Sequence, residues 1–465
     1  MSPREHTLLL VAYFFPPLGG GGVQRWVKLT KYLRPLGWRS EVVTVKAQSY
    51  WVMDETLAAD VPPDTVVHRT ASLTGLDLLR GVRRRGRTAA EPAAVRSTTG
   101  FQTLRWLTSC VLVPDAYLGW FPFALAAARA RIERGGIDVL LTTSSPDSAH
   151  LVGLVLRERT RVPWVADFRD PWVRRLTFQA PTALHARLQA WLEGRVLARA
   201  DGVLVTNEAT RADFLARYPQ LPKAKFVVLP NGFDPADLEL GARSDGRSDV
   251  RSAPDPGRRF VLAHTGLLSG KRSLAPLVQG LELLFDRRPD LRARLLVRQI
   301  GPRESVNDAL VRQHALSDVI EFEPPRRHPE VLQAMAVADG LLLLEADEPQ
   351  GSLITPGKIF EYLAVGRPIL ALVPKGPAAD LVTEFDAGVV VHPGDAAGIA
   401  HTLAGWLTSG PPEPGGWRGA ALARYSRPVL AERLAETLRT VVNARDPADL
   451  EPVAPAGEGR PESRP

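Results

Sequence analysis

Short apolar runs recur along the chain, each followed by a polar or glycine-rich break and then by apolar residues at helical spacing. Leu8 to Phe15 is the first such run, and its unbroken apolar character predicts a strand buried on both faces. A helical pattern begins at Val23 and continues through Trp26, Leu29, Thr30 and Leu33; Gly37 ends it, and Glu41 to Val45 supplies the next strand. Further strands are expected at Val66 to His68, Val139 to Thr142, Trp164 to Asp167, Gly202 to Thr206 and Phe226 to Leu229. A long helix is expected from Pro122 to Arg134 and another through Leu151 and Leu156. The alternation resumes with strands at Phe260 to His264, Arg294 to Ile300, Val319 to Phe322, Gly340 to Leu344, Pro368 to Val373 and Gly388 to Val391. Helices are expected there from Leu274 to Phe285, through Val331 and Met335, from Lys358 to Leu363 and after Asp395. Strand, loop and helix in this order predict parallel α/β sheets. Two such sheets put ligand sites beyond the carboxyl ends of their strands, in the cleft between them.

The expected division is a first Rossmann-like domain over 1–237, a linker or mobile loop over 241–258, a second Rossmann-like domain over 259–424, and a disordered tail over 446–465. The 241–258 stretch is rich in Gly, Ser, Asp and Arg without periodicity, and the tail in Pro, Glu, Ala and Gly. Leu430, Leu434, Leu438 and Val441 give a helix from Pro428 to Val442. A chain of 465 residues, 45% hydrophobic, exceeds one ordinary core and suits two domains. The single cysteine, Cys110, excludes an internal disulfide and a multi-thiolate metal site. No run approaches the ~20 apolar residues of a membrane span, and no cleavage pattern follows the first run, so a cytoplasmic protein is expected. Net charge is +7, and residues 80–105 carry seven arginines (Arg80, Arg83, Arg84, Arg85, Arg87, Arg96 and Arg105) against Glu91 alone. Phe101, Trp106 and Leu107 stand among and after them. This 80–107 segment is either a solvated loop or a contact with an anionic membrane surface, worth about 1 kcal/mol per basic residue there. Nucleic acid is not an expected partner.

Several residues could carry chemistry. Gly19 to Gly22 lie between a strand and a helix, where backbone N–H groups can approach a phosphate or a sugar, or simply make a tight turn. The run lacks both the dinucleotide spacing and a following Gly-Lys-Ser/Thr. Thr355, Pro356 and Gly357 form a turn that opens a helix at Lys358, whose free N–H groups suit a diphosphate; Glu361 could accept from ribose hydroxyls. His264, Thr265 and Gly266 end a strand, and Lys271 and Arg272 follow, two cations that could neutralise a leaving diphosphate. Asp167, Arg169 and Asp170 stand at a strand end, as a site or as a structural ion pair. His150 either faces the cleft or rests on its own helix.

Taken in order, YFFPPLGGGGVQR, TSSPDSAH, WVADFRDPW, VLPNGFD, AHTGLLSGKRS and TPGKIFEYLAVGRPIL resemble glycosyltransferase family 4. The resemblance implies the GT-B fold, two Rossmann-like domains facing each other across a cleft, with the last helix crossing back to the first domain. It implies retaining transfer from a UDP- or GDP-linked sugar to a glycan or lipid-linked acceptor, with no cofactor and no metal, in cell-surface polysaccharide or glycolipid synthesis. Gly20 and Gly21 would approach the donor phosphate or acceptor, Lys271 and Arg272 the diphosphate, Glu361 the ribose. The catalytic set implied is Lys271, Arg272, Asp170, Arg169 and His150; Gly20, Gly21, Gly266, Thr355, Gly357, Lys358 and Glu361 would bind the donor. Three positions depart from the family: Leu353 replaces a glutamate eight residues before Glu361, Arg169 a histidine, and Leu267 an arginine. These departures favour, as the alternative, a non-catalytic subunit that binds sugar nucleotides.

Overall fold

The computed structural model describes residues 5–19, 21–46, 54–73, 111–176, 178–243, 258–413 and 420–444. The basic 80–107 segment, Cys110, Gly20 and the 446–465 tail lie outside the described residues, as does 244–257 of the expected linker. Residues 241–243, also assigned to that linker, instead close the helix Pro235–Arg243.

Two all-parallel sheets form. The first has seven strands in the order β3-β2-β1-β4-β5-β6-β7: β1 His6–Val11, β2 Trp38–Val45, β3 Val66–Thr70, β4 Val139–Thr143, β5 Trp164–Phe168, β6 Gly202–Val205 and β7 Phe226–Val228. The second has six, ordered β10-β9-β8-β11-β12-β13: β8 Phe260–Thr265, β9 Leu295–Ile300, β10 Ile320–Glu323, β11 Gly340–Leu344, β12 Ile369–Leu372 and β13 Gly388–Val391. The order reverses between β1 and β4 and between β8 and β11, so each sheet has a switch point at which a crevice opens.

The unbroken apolar strands work because both faces are covered. Leu9 and Val11 of β1 join the core under the helices Phe121–Glu133 and Ser148–Thr160. Leu8 and Leu10 face the other way, against Trp26, Val27, Leu430, Leu434 and Leu438. That second face buries the last helix, Arg427–Asn443, beside the first, Gly21–Leu33. In the second sheet Leu342 and Leu344 serve one core, and Leu341 and Leu343 the other.

Two crossings between the halves are stitched together. Phe233 N donates to the Tyr425 carbonyl at 3.0 Å, and Arg427 N donates to the Phe233 carbonyl at 2.8 Å. Gly232 has φ +71°, and a Cβ there would run into the Tyr425 carbonyl oxygen, so the turn requires glycine. Below the crossing, Arg25 and Asp167, with wholly buried side chains, form a 2.9 Å ion pair. Trp26 Nε1 and Thr143 Oγ1 also donate to Asp167, at 3.0 and 2.8 Å, while Arg25 donates to the Leu229 and Pro230 carbonyls. Asp167 is therefore a structural hub. Arg25→Met strands that carboxylate, and a loss of about 3–5 kcal/mol in urea unfolding is expected; a loss below ~1 kcal/mol would contradict the hub role.

Candidate active site

Strand β8 delivers His264 and Thr265, and Gly266, at φ +105°, turns the chain away. Tyr362 fixes this strand end: its hydroxyl accepts from Thr265 N at 3.0 Å and donates to the Leu342 carbonyl at 3.3 Å. The helix Lys358–Val365 starts opposite. Lys358 Nζ donates to the Thr265 carbonyl at 2.7 Å and lies 2.9 Å from His264 Nε2. A Cβ on Gly266 would stand 3.4 Å from Nζ, so the lysine lies directly over that glycine. Burial, with the Arg272 charge added, pushes the Lys358 amine down to about 7, while Glu345 and Glu361 oppose the shift. His264 is fully buried and held well below the ordinary histidine range by burial, Lys358 and Arg272.

Arg272 reaches the same place. Its Nη2 donates to both oxygens of Glu345, at 2.6 and 2.7 Å, and Glu345 is buried at the end of β11. Lys271, its neighbour in sequence, does not join. Its amine pairs with Glu348 at 2.6 Å on an exposed loop. The two cations expected to act together are thus separated, and Arg272 with Lys358 forms the cluster.

Glu361, one turn into the helix, faces the domain junction. His328 Nε2 lies 3.4 Å from Glu361 and 3.4 Å from Asp237, and Gln24 of the first domain is 3.2 Å from His328 Nδ1. Burial raises the Glu361 carboxyl, against the pull of His328. Arg427, buried with Nη1 lacking a hydrogen-bond partner, is within electrostatic reach of Glu361 and Asp237. Thr355 and the loop before it close the junction on another side: Asn207 Nδ2 donates to Thr355 Oγ1 at 3.0 Å and to the Leu353 carbonyl at 2.9 Å. Gly357 adjoins Asn231. Leu353 thus contributes its backbone to this contact.

In the first domain, Arg169 is half-buried and donates to the Ser144 carbonyl and, at 3.5 Å, to the Ser145 carbonyl. Its guanidinium occupies the space a side chain at Gly22 would need, so the structure uses the smallness of Gly22. Gly21 opens the helix. Asp170 is half-buried and acts on the nearby Arg175, which pairs with Asp147 at 2.5 Å. Burial lifts the Asp147 carboxyl to about 7, against Arg175.

The structure corrects the reading of His150. It is fully buried, its Nδ1 lies 2.8 Å from Thr142 Oγ1, and its ring stacks on Phe168 at 4.5 Å. Burial pushes it down to about 3, so it is a neutral core residue and does not line the cleft. Glu345, His328, Asp237 and Arg427 were not singled out from the sequence. Glu345 carried a usable signal, a charge directly after the apolar run Gly340–Leu344; the other three act only through contacts between distant segments.

Residues 19–237 match the family described as Glycosyltransferase Family 4. A D-inositol 3-phosphate glycosyltransferase of Actinosynnema mirum is 30% identical over 261 residues, 54% of this chain and 60% of that protein. A protein of the same name from Streptomyces avermitilis is 26% identical over 220 residues, 45% of each chain. The alignments thus span about half to 60% of the length of these relatives. Among solved structures, sucrose-phosphate synthase from Thermosynechococcus elongatus superposes with TM-score 0.63 at 16% identity, covering 95% of this chain and 100% of that one. Anabaena HepE in complex with UDP and glucose superposes with TM-score 0.58 at 16% identity, covering 93% and 99%. The two facing sheets therefore have the GT-B fold.

Proposed function

We propose that the chain, whose residues 19–237 match the family described as Glycosyltransferase Family 4, transfers a sugar from a UDP- or GDP-linked donor to a glycan or lipid-linked acceptor in cell-surface polysaccharide or glycolipid synthesis. The observation that carries this reading is the convergence of Arg272, Lys358 and the Gly357–Lys358 helix start at the carboxyl end of β8, next to Asn231 of the first domain. Two cations and free amides at one point suit a diphosphate. Relatives bear the name D-inositol 3-phosphate glycosyltransferase, and a structural neighbour was solved with UDP and glucose, which supports a nucleotide-linked sugar donor here.

In the proposed reaction the acceptor hydroxyl attacks the anomeric carbon on the face from which the diphosphate departs, and configuration is retained. The bond from that carbon to the diphosphate oxygen breaks, and that oxygen takes the hydroxyl proton. No protein base is required, in keeping with the enclosure of His150. Arg272 and Lys358 stabilise the charge that grows on the leaving group, so the chemistry needs no metal. Glu361 holds the ribose, with His328, itself held by Asp237, beside its carboxylate.

A non-catalytic sugar-nucleotide-binding subunit is the second reading, favoured by Leu353 and Leu267 and by the engagement of Arg272 with Glu345. A panel of UDP- and GDP-sugars separates the two. The matching donor at about 100-fold excess over its dissociation constant raises stability by ~2.7 kcal/mol, and an enzyme also releases nucleoside diphosphate over time. Stabilisation without release would establish the second reading; neither effect with any donor would remove both.

A further inference from the structure

We propose that the outward face of the helix Ala183–Arg199 is a docking surface for an anionic lipid bilayer. Leu184, Leu188 and Trp191 stand at i, i+4 and i+7, on one face, and are 73%, 40% and 57% exposed. Three large apolar residues in one exposed stripe differ from the scattered single exposures of an ordinary surface. The helix is anchored from its other side by Val196 and Leu197 in the core, by Trp172 Nε1 donating to Gln189, and by Val173 N donating to Glu193. The stripe is therefore held rigidly outward, on the element that supports the turn after Asp170.

The rim selects the partner. The charged residues on the exposed side of this helix are Arg187, Arg195 and Arg199, and its one acid, Glu193, is buried and bound by Arg217 and Tyr218. Arg195 stacks over Trp191 at 5.6 Å. Glu158 lies near Arg195 and Arg199, at 3.2 and 3.7 Å, and leaves the face cationic. Gln189 donates to the Pro114 carbonyl at 2.8 Å, which sets the start of the 111–120 segment alongside, with Val111 78% exposed. The chain outside the described residues ends there, and its sequence carries seven arginines against one acid between 80 and 105. Tryptophan and leucine framed by arginine suit the headgroup and upper acyl region of a bilayer. Three apolar side chains make a small patch beside the ~800 Å² per partner of a stable protein interface, whereas anionic lipid supplies the opposite charge. The face extends the idea of a membrane-side acceptor and does not depend on glycosyl transfer, so donor stabilisation and lipid binding fail separately.

Flotation of the full chain tests it, with vesicles of phosphatidylcholine alone or mixed with phosphatidylglycerol. The wild type should be recovered several-fold better with the anionic vesicles. Leu184→Glu/Trp191→Glu and Arg187→Glu/Arg199→Glu should each fall to the recovery seen with neutral vesicles, with the thermal midpoint and donor binding unchanged. Equal wild-type recovery from both vesicle types would overturn the proposal. So would variants that float like the wild type, which would leave any lipid contact to residues 80–107. A change in solution mass of the apolar variant with flotation intact would assign the face to a second copy and overturn it as well.

Discussion

Lys358→Ala and Arg272→Ala are each expected to lower donor turnover by about 10²- to 10³-fold, the usual cost of one preorganised contact to a developing negative charge. Lys271→Ala should change it no more than a few-fold. Lys358 and Arg272 converge over the Gly266 turn, whereas Lys271 is 54% exposed and pairs with Glu348 away from it. Exposed ion pairs of that kind contribute little. Steady-state turnover of the matched donor, with circular dichroism to confirm folding, checks the three variants side by side. Equal losses for Lys271 and Arg272, or none for Lys358, would overturn the assignment of the leaving-group cluster.

Donor binding should weaken as pH rises above neutrality. The Lys358 amine, pushed down to about 7 by burial and by Arg272, is half neutral near pH 7 in the nucleotide-free protein. A diphosphate favours its cationic form, so binding draws a proton in. Above the free-protein pKa the affinity for UDP or GDP should fall about tenfold per pH unit, until the worth of the lysine contact is exhausted. The nucleotide's own last ionisation, near 6, is essentially complete over this range. The groups facing the amine are His264, the Thr265 carbonyl, Arg272, Glu345 and Glu361. His264 is held neutral far below this range. Lys358→Arg should flatten the profile, because a guanidinium stays protonated. Calorimetric titration from pH 7 to 9 reads both; a slope shared by wild type and Lys358→Arg would place the titrating group elsewhere.

The strands were legible because burial on both faces writes an uninterrupted apolar run, and Gly340–Leu344 was placed to the residue. The helix Ala183–Arg199 was not read. Val196 and Leu197 mark its buried side while Leu184, Leu188 and Trp191 lie on the exposed one, so a single amphipathic stripe never emerges. The same contradiction now points to a partner for that helix. At the site, Lys358 and Arg272 stood out as charges next to strand and helix ends. Nothing local distinguished Arg272 from Lys271, since which of two adjacent loop cations is drawn inward depends on Glu345, far away in sequence. For His150 and Asp167 the sequence left a site role and a structural one open, and only packing reveals one as a core residue and the other as the partner of Arg25.

Photolabelling with an azido-uridine diphosphate, followed by peptide mapping, addresses the nucleotide site directly. The label is expected in peptides spanning Gly266–Arg272 or Thr355–Glu361, with excess unlabelled UDP or GDP protecting them and Lys358→Ala reducing the yield. Protected labelling confined to residues before Asp237 would put the nucleotide in the other half of the molecule and contradict the account.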